Sequence, residues 1–325
     1  MDFKLTCLVA AAITFVSMLI AMPVFIRYLK RRNIEQIASE YALEEFKNKD
    51  KTPIMGGLLF VVIPVIAFFV ADLKGVADRR FLFVLLSYVL YCSVGFIDDA
   101  LIIASHKNDG LSPKTRLIME LAYSAGLFFI FRDILPMQVS VPFTSLVIPL
   151  RWYIYLPFMV LLYMAEANAV NFTDGMDGLC AGVSFIALIP FVILLFIQND
   201  HHLALFLICI LAGLLGYLRF NFHPAKIFMG DSGSLALGAL FASLGLVTDQ
   251  TLALFVIGGV FVVEMFCVCL QQFMVRVFHK RVFSYTPIHY AFMIKGYKET
   301  KIVLMFYLVQ LILSVIGLFI GISLL

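Results

Sequence analysis

The feature that most constrains this chain is its succession of long apolar runs, parted by short segments that hold nearly all of its charge. Inside a bilayer no water pairs with backbone N–H and C=O groups, so each such run must close its hydrogen bonds internally, as a helix does. Ten runs qualify, at about 4–26, 54–71, 81–97, 115–131, 152–165, 179–198, 203–219, 233–248, 252–274 and 302–324. One span consumes about 20 apolar residues. With 62% of 325 residues hydrophobic and 14% charged, there is material for ten spans and little else. A soluble globule, a disordered chain and a disulfide scaffold are excluded. The expected fold is an all-α polytopic membrane protein, one integral-membrane domain over residues 1–325. Between the fourth and fifth spans, Met137 to Leu150 differs: short β-rich pieces with Pro142 and Pro149 predict a small extracytoplasmic β-hairpin.

Ten spans place odd and even connections on opposite sides. Connections after odd-numbered helices hold 18 of the 24 Lys and Arg residues, which assigns that side to the cytoplasm and both termini to the exterior. Acidic residues divide likewise, 13 of 21 on the same side, with Glu120 and Glu264 inside spans. The basic stretch Arg27 to Arg32 reads as an anchor for anionic headgroups.

Several of these carboxylates stand at helix–loop junctions among apolar or amide neighbours, where a solvated face is not expected. Phe96-Ile97-Asp98-Asp99 ends the third span. The stretch from Asn168 to Gly178 holds Asn171, Asp174 and Asp177 at i, i+3 spacing, which predicts one side of a helical turn. Asn221 to Ser234 opens the eighth span, contains Phe228 and Asp231, and offers Ser232 or Ser234 as its cap. Thr286-Pro287-Ile288-His289, Lys51-Thr52-Pro53 with Gly56 and Gly57, and Ser112-Pro113-Lys114 complete the set. Crowded carboxylates repel, and a hard divalent cation relieves that conflict; Mg²⁺ typically takes one or two of them together with phosphate oxygens. Lysines and an imidazole suit phosphates, while amides and a phenylalanine suit a nucleobase or sugar. Read together, this face suits a nucleotide diphosphate and Mg²⁺ at the edge of the bilayer.

In order along the chain, KTPIMGG, GFIDD, GLSPK, NAVNFTDGMDGL, PAKIFMGDSGSLALG and TPIH resemble the motifs of the polyprenyl-phosphate N-acetylhexosamine-1-phosphate transferase superfamily. Within it, the phospho-N-acetylmuramoyl-pentapeptide transferase family is the most similar. The resemblance covers Lys51 to His289 and implies a ten-helix enzyme of the bacterial cytoplasmic membrane with its active site on the cytoplasmic face. It also implies a reaction in peptidoglycan synthesis. Undecaprenyl phosphate attacks the β-phosphorus of UDP-MurNAc-pentapeptide, giving UMP and lipid I, with Mg²⁺ as cofactor.

Carried over by motif, Asp98 and Asp99 match the family's paired aspartates and Asp231 its magnesium-binding aspartate. Asn171, Asp174, Asp177 and Phe228 match the nucleotide pocket. Lys114, Asn221 and Thr52 match polar substrate-binding positions, and His289 the first histidine of the last motif. The other partners implied are the bilayer and a second copy in a homodimer; no nucleic acid is expected. One departure stands out. The family's Pro-Ile-His-His-His is here Pro287-Ile288-His289-Tyr290-Ala291, which leaves open a relative with a different UDP-sugar donor.

Adjacent residues on a helix point about 100° apart, so Asp98 and Asp99 are expected to do different jobs, one at the metal and one as base. Lys114 and His289 are the expected diphosphate contacts. Glu264 is an intramembrane carboxylate that can approach the cavity. A secondary transporter is the rival from another class, but such sites lie near the bilayer midplane, whereas these carboxylates gather at one surface.

Overall fold

The structure, a computed structural model, describes residues 2–35, 52–105 and 110–325. Lys51 of the first motif and the charged residues of 36–50 and 106–109 lie outside the described residues. In chain order the described elements are α1 (Phe3–Arg31), α2 (Gly57–Ala71), α3 (Arg79–Ser105) and α4 (Pro113–Phe131), then the strands β1 (Gln138–Ser140) and β2 (Val147–Pro149). There follow α5 (Trp152–Thr173), α6 (Leu179–Ile197), α7 (His201–Asn221) and α8 (Asp231–Val247). The last four are α9 (Thr251–Ile257), α10 (Gly259–Phe278), α11 (Ile288–Ile294) and α12 (Glu299–Ile322).

Seven helices, α1, α3, α5, α6, α7, α10 and α12, are long and apolar enough to cross a membrane. The apolar α2 and α8 are shorter, at 15 and 17 residues. α4 has 19 residues and carries Lys114, Arg116 and Glu120 in its first half. All ten predicted runs are thus helical, with one correction: the ninth breaks at Gly258 into α9 and α10. A Gly258–Gly259 pair is poor helix material, and α12 presses on the break, with Gly317 against the backbone of Ile257 and Gly259 against Leu313. The hairpin forms as expected, β1 antiparallel to β2 with Val139 opposite Ile148.

At the centre lies α8, buried from Ser232 through Val247. Its small residues let neighbours approach backbone to backbone, as in other membrane bundles. A Cβ on Gly238 would strike Ala167 of α5, one on Gly233 would meet Gly57 of α2, and one on Gly95 of α3 would strike the Asp231 carbonyl. Outer helices keep large apolar side chains exposed, such as Leu8 and Ile20 on α1 and Phe319 on α12, as lipid contact requires.

The bundle has two polar ends. At one, β1 is tied to the α8–α9 turn, Gln138 Nε2 and Ser140 Oγ both donating to Asp249 Oδ2 at 2.7 Å. There too Arg79 pairs with Asp133 (2.7 Å) and Arg80 with Asp200 (3.4 Å). The opposite end gathers the C-terminal turns of α3, α5 and α7 and the first turns of α4, α6, α8 and α12, joined by the contacts below.

Candidate active site

The site is organised around the first turn of α8. Gly230, at φ +77°, reverses the chain into the helix, and a Cβ there would meet the Asp99 carboxylate. The serine cap expected from the sequence does not form. The N-cap residue is Gly230, Ser234 Oγ turns back to the Gly230 carbonyl (3.2 Å), and the orphan N–H groups are met from α3 instead. Asp99 Oδ1 accepts from Asp231 N (3.0 Å) and Oδ2 from Ser232 N (3.1 Å), so a buried carboxylate meets the positive end of a helix.

Asp231 projects from that turn with both oxygens engaged. Oδ1 accepts from Asn171 Nδ2 at 2.8 Å and Oδ2 from the Arg116 guanidinium at 3.0 Å. Arg116 also reaches Glu120 Oε1 (3.2 Å) one turn along α4, and Asn168 Oδ1 (3.4 Å) on α5. Asp98, beside Asp99 but turned away, uses one oxygen to accept from Leu111 N at 2.7 Å. That bond draws the entry to α4 onto the end of α3. The two aspartates therefore have separate partners, as their helical angle requires.

A second group adjoins the first through residues 221–231. Asp177 Oδ2 meets His223 Nδ1 (2.9 Å) and accepts from Ala225 N (3.0 Å), and Asp177 N donates to Glu299 Oε1 (2.8 Å). His223 Nδ1 also lies 3.4 Å from Glu299 Oε2. The amide of Asn221 accepts from Gly178 N (3.0 Å) and donates to the Ile227 carbonyl (2.9 Å), while Tyr307 Oη donates to the Gly178 carbonyl (2.6 Å). The expected single helical face for Asn171, Asp174 and Asp177 is corrected. α5 ends at Thr173, Asp174 is its C-cap, and Asp177 lies beyond the following turn, next to Gly178 at φ +79°. Asn171 consequently serves Asp231 while Asp177 serves the α7–α8 loop. Half-buried Asp174 lies between them; burial, then the charges of Asp231 and Asp177, push its carboxyl from 3.8 up to about 7.

The Thr52 segment runs along the approach to α8: Phe228 N donates to the Pro53 carbonyl, and Gly56 N to the Phe228 carbonyl, both at 2.8 Å. Thr52 and Phe228 are half-buried there. His289 is wholly buried, its Nδ1 2.9 Å from Glu264 Oε1, and Glu264 Oε2 accepts from Ile288 N at 2.7 Å. Glu264 thus fixes the start of α11 and the orientation of the imidazole, whose Nε2 faces Gly175 and has no hydrogen-bond partner among the described residues. Tyr290 Oη donates to the Gly175 carbonyl at 3.1 Å, holding α11 to the α5–α6 turn.

Asp98, Asp99, Asp231 and Asn171 are therefore brought together, and Asp174, Asp177, Asn221, Thr52, Phe228 and His289 surround them. Lys114 is not brought in. It is exposed on the first turn of α4, with no hydrogen bond among the described residues, while Arg116, two residues on, pairs with Asp231. Sequence reading also passed over His223 and Glu299. A signal for Arg116 existed in its i, i+4 spacing to Glu120; none existed for His223 and Glu299, which meet only in the fold.

The donors here are carboxylate and amide oxygens, the set a hard divalent cation takes: Asp231, with the carboxylate of Asp98 close enough to feel its charge, and Asn168 and Asn171 beside them. A further trio, Asp177, His223 and Glu299, has its ligand atoms within 4.8 Å of one another.

Such a bundle, with carboxylates, amides and a guanidinium converging at one end of its helices, is that of a multi-pass membrane protein. Residues 81–249 match the family described as glycosyl transferase family 4. Over nearly its whole length the chain is similar to proteins named phospho-N-acetylmuramoyl-pentapeptide-transferase. It is 38% identical to that of Staphylococcus aureus (strain bovine RF122 / ET3-1) over 320 residues, 97% of this chain and 98% of the relative. Identity to that of Staphylococcus carnosus (strain TM300) is 36%, over 97% of this chain and 99% of the relative. The chain belongs to glycosyl transferase family 4 and, within it, to the phospho-N-acetylmuramoyl-pentapeptide-transferases.

Proposed function

We propose that the protein transfers phospho-N-acetylmuramoyl-pentapeptide from its UDP donor to undecaprenyl phosphate, releasing UMP, at the cytoplasmic surface of the membrane. The observation that carries this reading is the convergence of Asp99, Asn171 and Arg116 on Asp231 at the first turn of α8, with Asp98 near enough to feel its charge. An oxygen of the lipid phosphate attacks the β-phosphorus, the bond from that phosphorus to the bridging oxygen of UMP breaks, and UMP leaves with the bonding pair. A phosphate monoester's second pKa is about 6, so the nucleophile needs little activation and catalysis is mostly positioning and charge neutralisation.

Asp231 would hold Mg²⁺, which when bound would supply charge neutralisation for the diphosphate. Arg116, now paired with Asp231, would be the guanidinium placed to pair with a phosphate oxygen of the donor, and Asn171 would orient the Asp231 carboxylate. Asp98 is the group that takes the last proton of the lipid phosphate. Asp99 acts through the α8 backbone, fixing where Asp231 stands. Asp177, Asn221 and Phe228 form the nucleoside end of the site, with His223 and Glu299 holding Asp177 in place. Tyr290, bonded to Gly175 where the family has a second imidazole, favours one competing reading, a different amino-sugar donor on the same carrier.

The test is to incubate purified protein and Mg²⁺ with undecaprenyl phosphate and, in parallel, UDP-MurNAc-pentapeptide or UDP-N-acetylglucosamine, then weigh the lipid product by mass spectrometry. The pentapeptide-bearing lipid with equimolar UMP is expected. A product only from the N-acetylglucosamine donor selects the competing reading, and no UMP from either donor removes both.

A further inference from the structure

The hairpin end of the bundle carries six cations, Lys4, Lys74, Arg79, Arg80, Arg132 and Arg151. Arg79 and Arg80 are matched by Asp133 and Asp200. Arg132 and Arg151 are different: neither side chain has a hydrogen bond or ion pair among the described residues, and both line one cavity of about 630 Å³. The hairpin brings them together. Gln138 pairs with Pro149, and Leu150 N donates to the Met137 carbonyl at 2.8 Å, which closes the connection at its base. The end of α4 and the start of α5 are thereby held side by side, one arginine on each. Met137, Leu150, Trp152 and Tyr153 supply the rest of the wall, and Asp133, already held by Arg79, stands at the edge.

The surroundings say where this cavity lies. Trp152 and Tyr153 are more than half exposed, and Phe129, Ile130 and Ile154 beside them on α4 and α5 also present open apolar side chains. Exposed Trp and Tyr bordering an apolar, lipid-facing surface mark the level of the headgroups. Two guanidinium groups with no direct ion pair among the described residues, Asp133 being bonded to Arg79 and feeling the charge of Arg132 only at longer range, match the planar, bidentate geometry of a phosphate group.

We propose that this cavity binds the headgroup of an acidic phospholipid, with Arg132 and Arg151 on its phosphate and its acyl chains along the exposed faces of α4 and α5. The site is at the opposite end of the bundle from Asp231 and is independent of the reaction proposed there. Each cation near a membrane surface favours acidic over neutral lipid by about fivefold, so two arginines give a clear preference.

Trp152 is the only tryptophan in the chain, so its fluorescence reports this cavity and not the basic stretch near Arg27 at the other end. The experiment places the full chain in vesicles of phosphatidylcholine brominated on its acyl chains, which quench the indole, and replaces that lipid stepwise with unbrominated phosphatidylglycerol. Fluorescence is expected to recover ahead of the mole fraction added, corresponding to a preference of about fivefold or more. Unbrominated phosphatidylethanolamine is expected to give recovery in simple proportion. R132Q/R151Q is expected to lose the preference and R132K/R151K to keep most of it, which separates charge from folding. Recovery in simple proportion with phosphatidylglycerol in the wild-type chain, or an undiminished preference in R132Q/R151Q, overturns the proposal. So does loss of the preference on adding inorganic phosphate, which would make this a small-anion site.

Discussion

Replacing Asp99 by alanine separates a residue that builds the site from one that reacts in it. In the folded chain its carboxylate accepts from two backbone N–H groups at the start of α8, at 3.0 and 3.1 Å, and is almost completely buried. Alanine leaves both donors without a partner. Losing a helix cap costs about 1 kcal/mol, and each buried orphan donor about 1–3 kcal/mol, so the expected destabilisation is about 3 kcal/mol. Because the lost bonds fix Asp231, its carboxylate should drift and divalent affinity should fall with stability. Asp98→Asn, by contrast, keeps an acceptor for Leu111 N, so its stability should stay within about 1 kcal/mol of wild type while transfer is lost. The assay pairs thermal unfolding in detergent micelles with Mn²⁺ binding followed by electron paramagnetic resonance. An Asp99→Ala protein that melts and binds Mn²⁺ like the wild type, yet is inactive, would refute the positioning role and make Asp99 the reacting group.

Three further outcomes follow from the same geometry. Arg116→Gln removes the cation that occupies Asp231, so Mn²⁺ should bind about fivefold more tightly while turnover falls, as an ion pair of about 1 kcal/mol is given up; unchanged Mn²⁺ affinity would show that the pair does not compete. The carboxyl of Asp174 is raised from 3.8 to about 7, so the fold prefers its protonated form. That contribution to stability is full below about pH 4 and is lost as pH climbs towards 7, so melting temperature should fall over this window more in the wild type than in Asp174→Asn; parallel curves would contradict it. Gly95→Ala should lower both melting temperature and Mn²⁺ affinity, since its methyl would enter the Asp231 carbonyl, and a variant that keeps both would deny the close crossing of α3 and α8.

Much of the fold was legible because lipid imposes one demand on every span, and the hairpin because its Val- and Pro-containing pieces break that pattern. Hydropathy failed where protein, not lipid, surrounds the helix. The predicted third and fifth spans stop at 97 and 165, yet α3 continues to Ser105 and α5 to Thr173, carrying Asp98, Asp99, Asn168 and Asn171 on helices packed against α8. It was equally blind to the break at Gly258, which reads as apolar as its neighbours.

Within the site, the aspartates were legible from their motifs. The Arg116–Asp231 pair was less legible: Lys114 and Arg116 are two residues apart and point about 200° from each other, and only Arg116 shares a face with Glu120. Asp177 and His223 come from two separate connections and Glu299 from the first turn of α12, a meeting that no local pattern encodes.

The account rests on Asp231 as the point where a divalent ion and the donor's diphosphate come together. Pulsed electron paramagnetic resonance of protein loaded with Mn²⁺ and the UDP donor reads that directly through ³¹P hyperfine coupling. Strong coupling in the wild-type protein, absent in Asp231→Asn, is the predicted result; coupling of equal strength in the variant would contradict it.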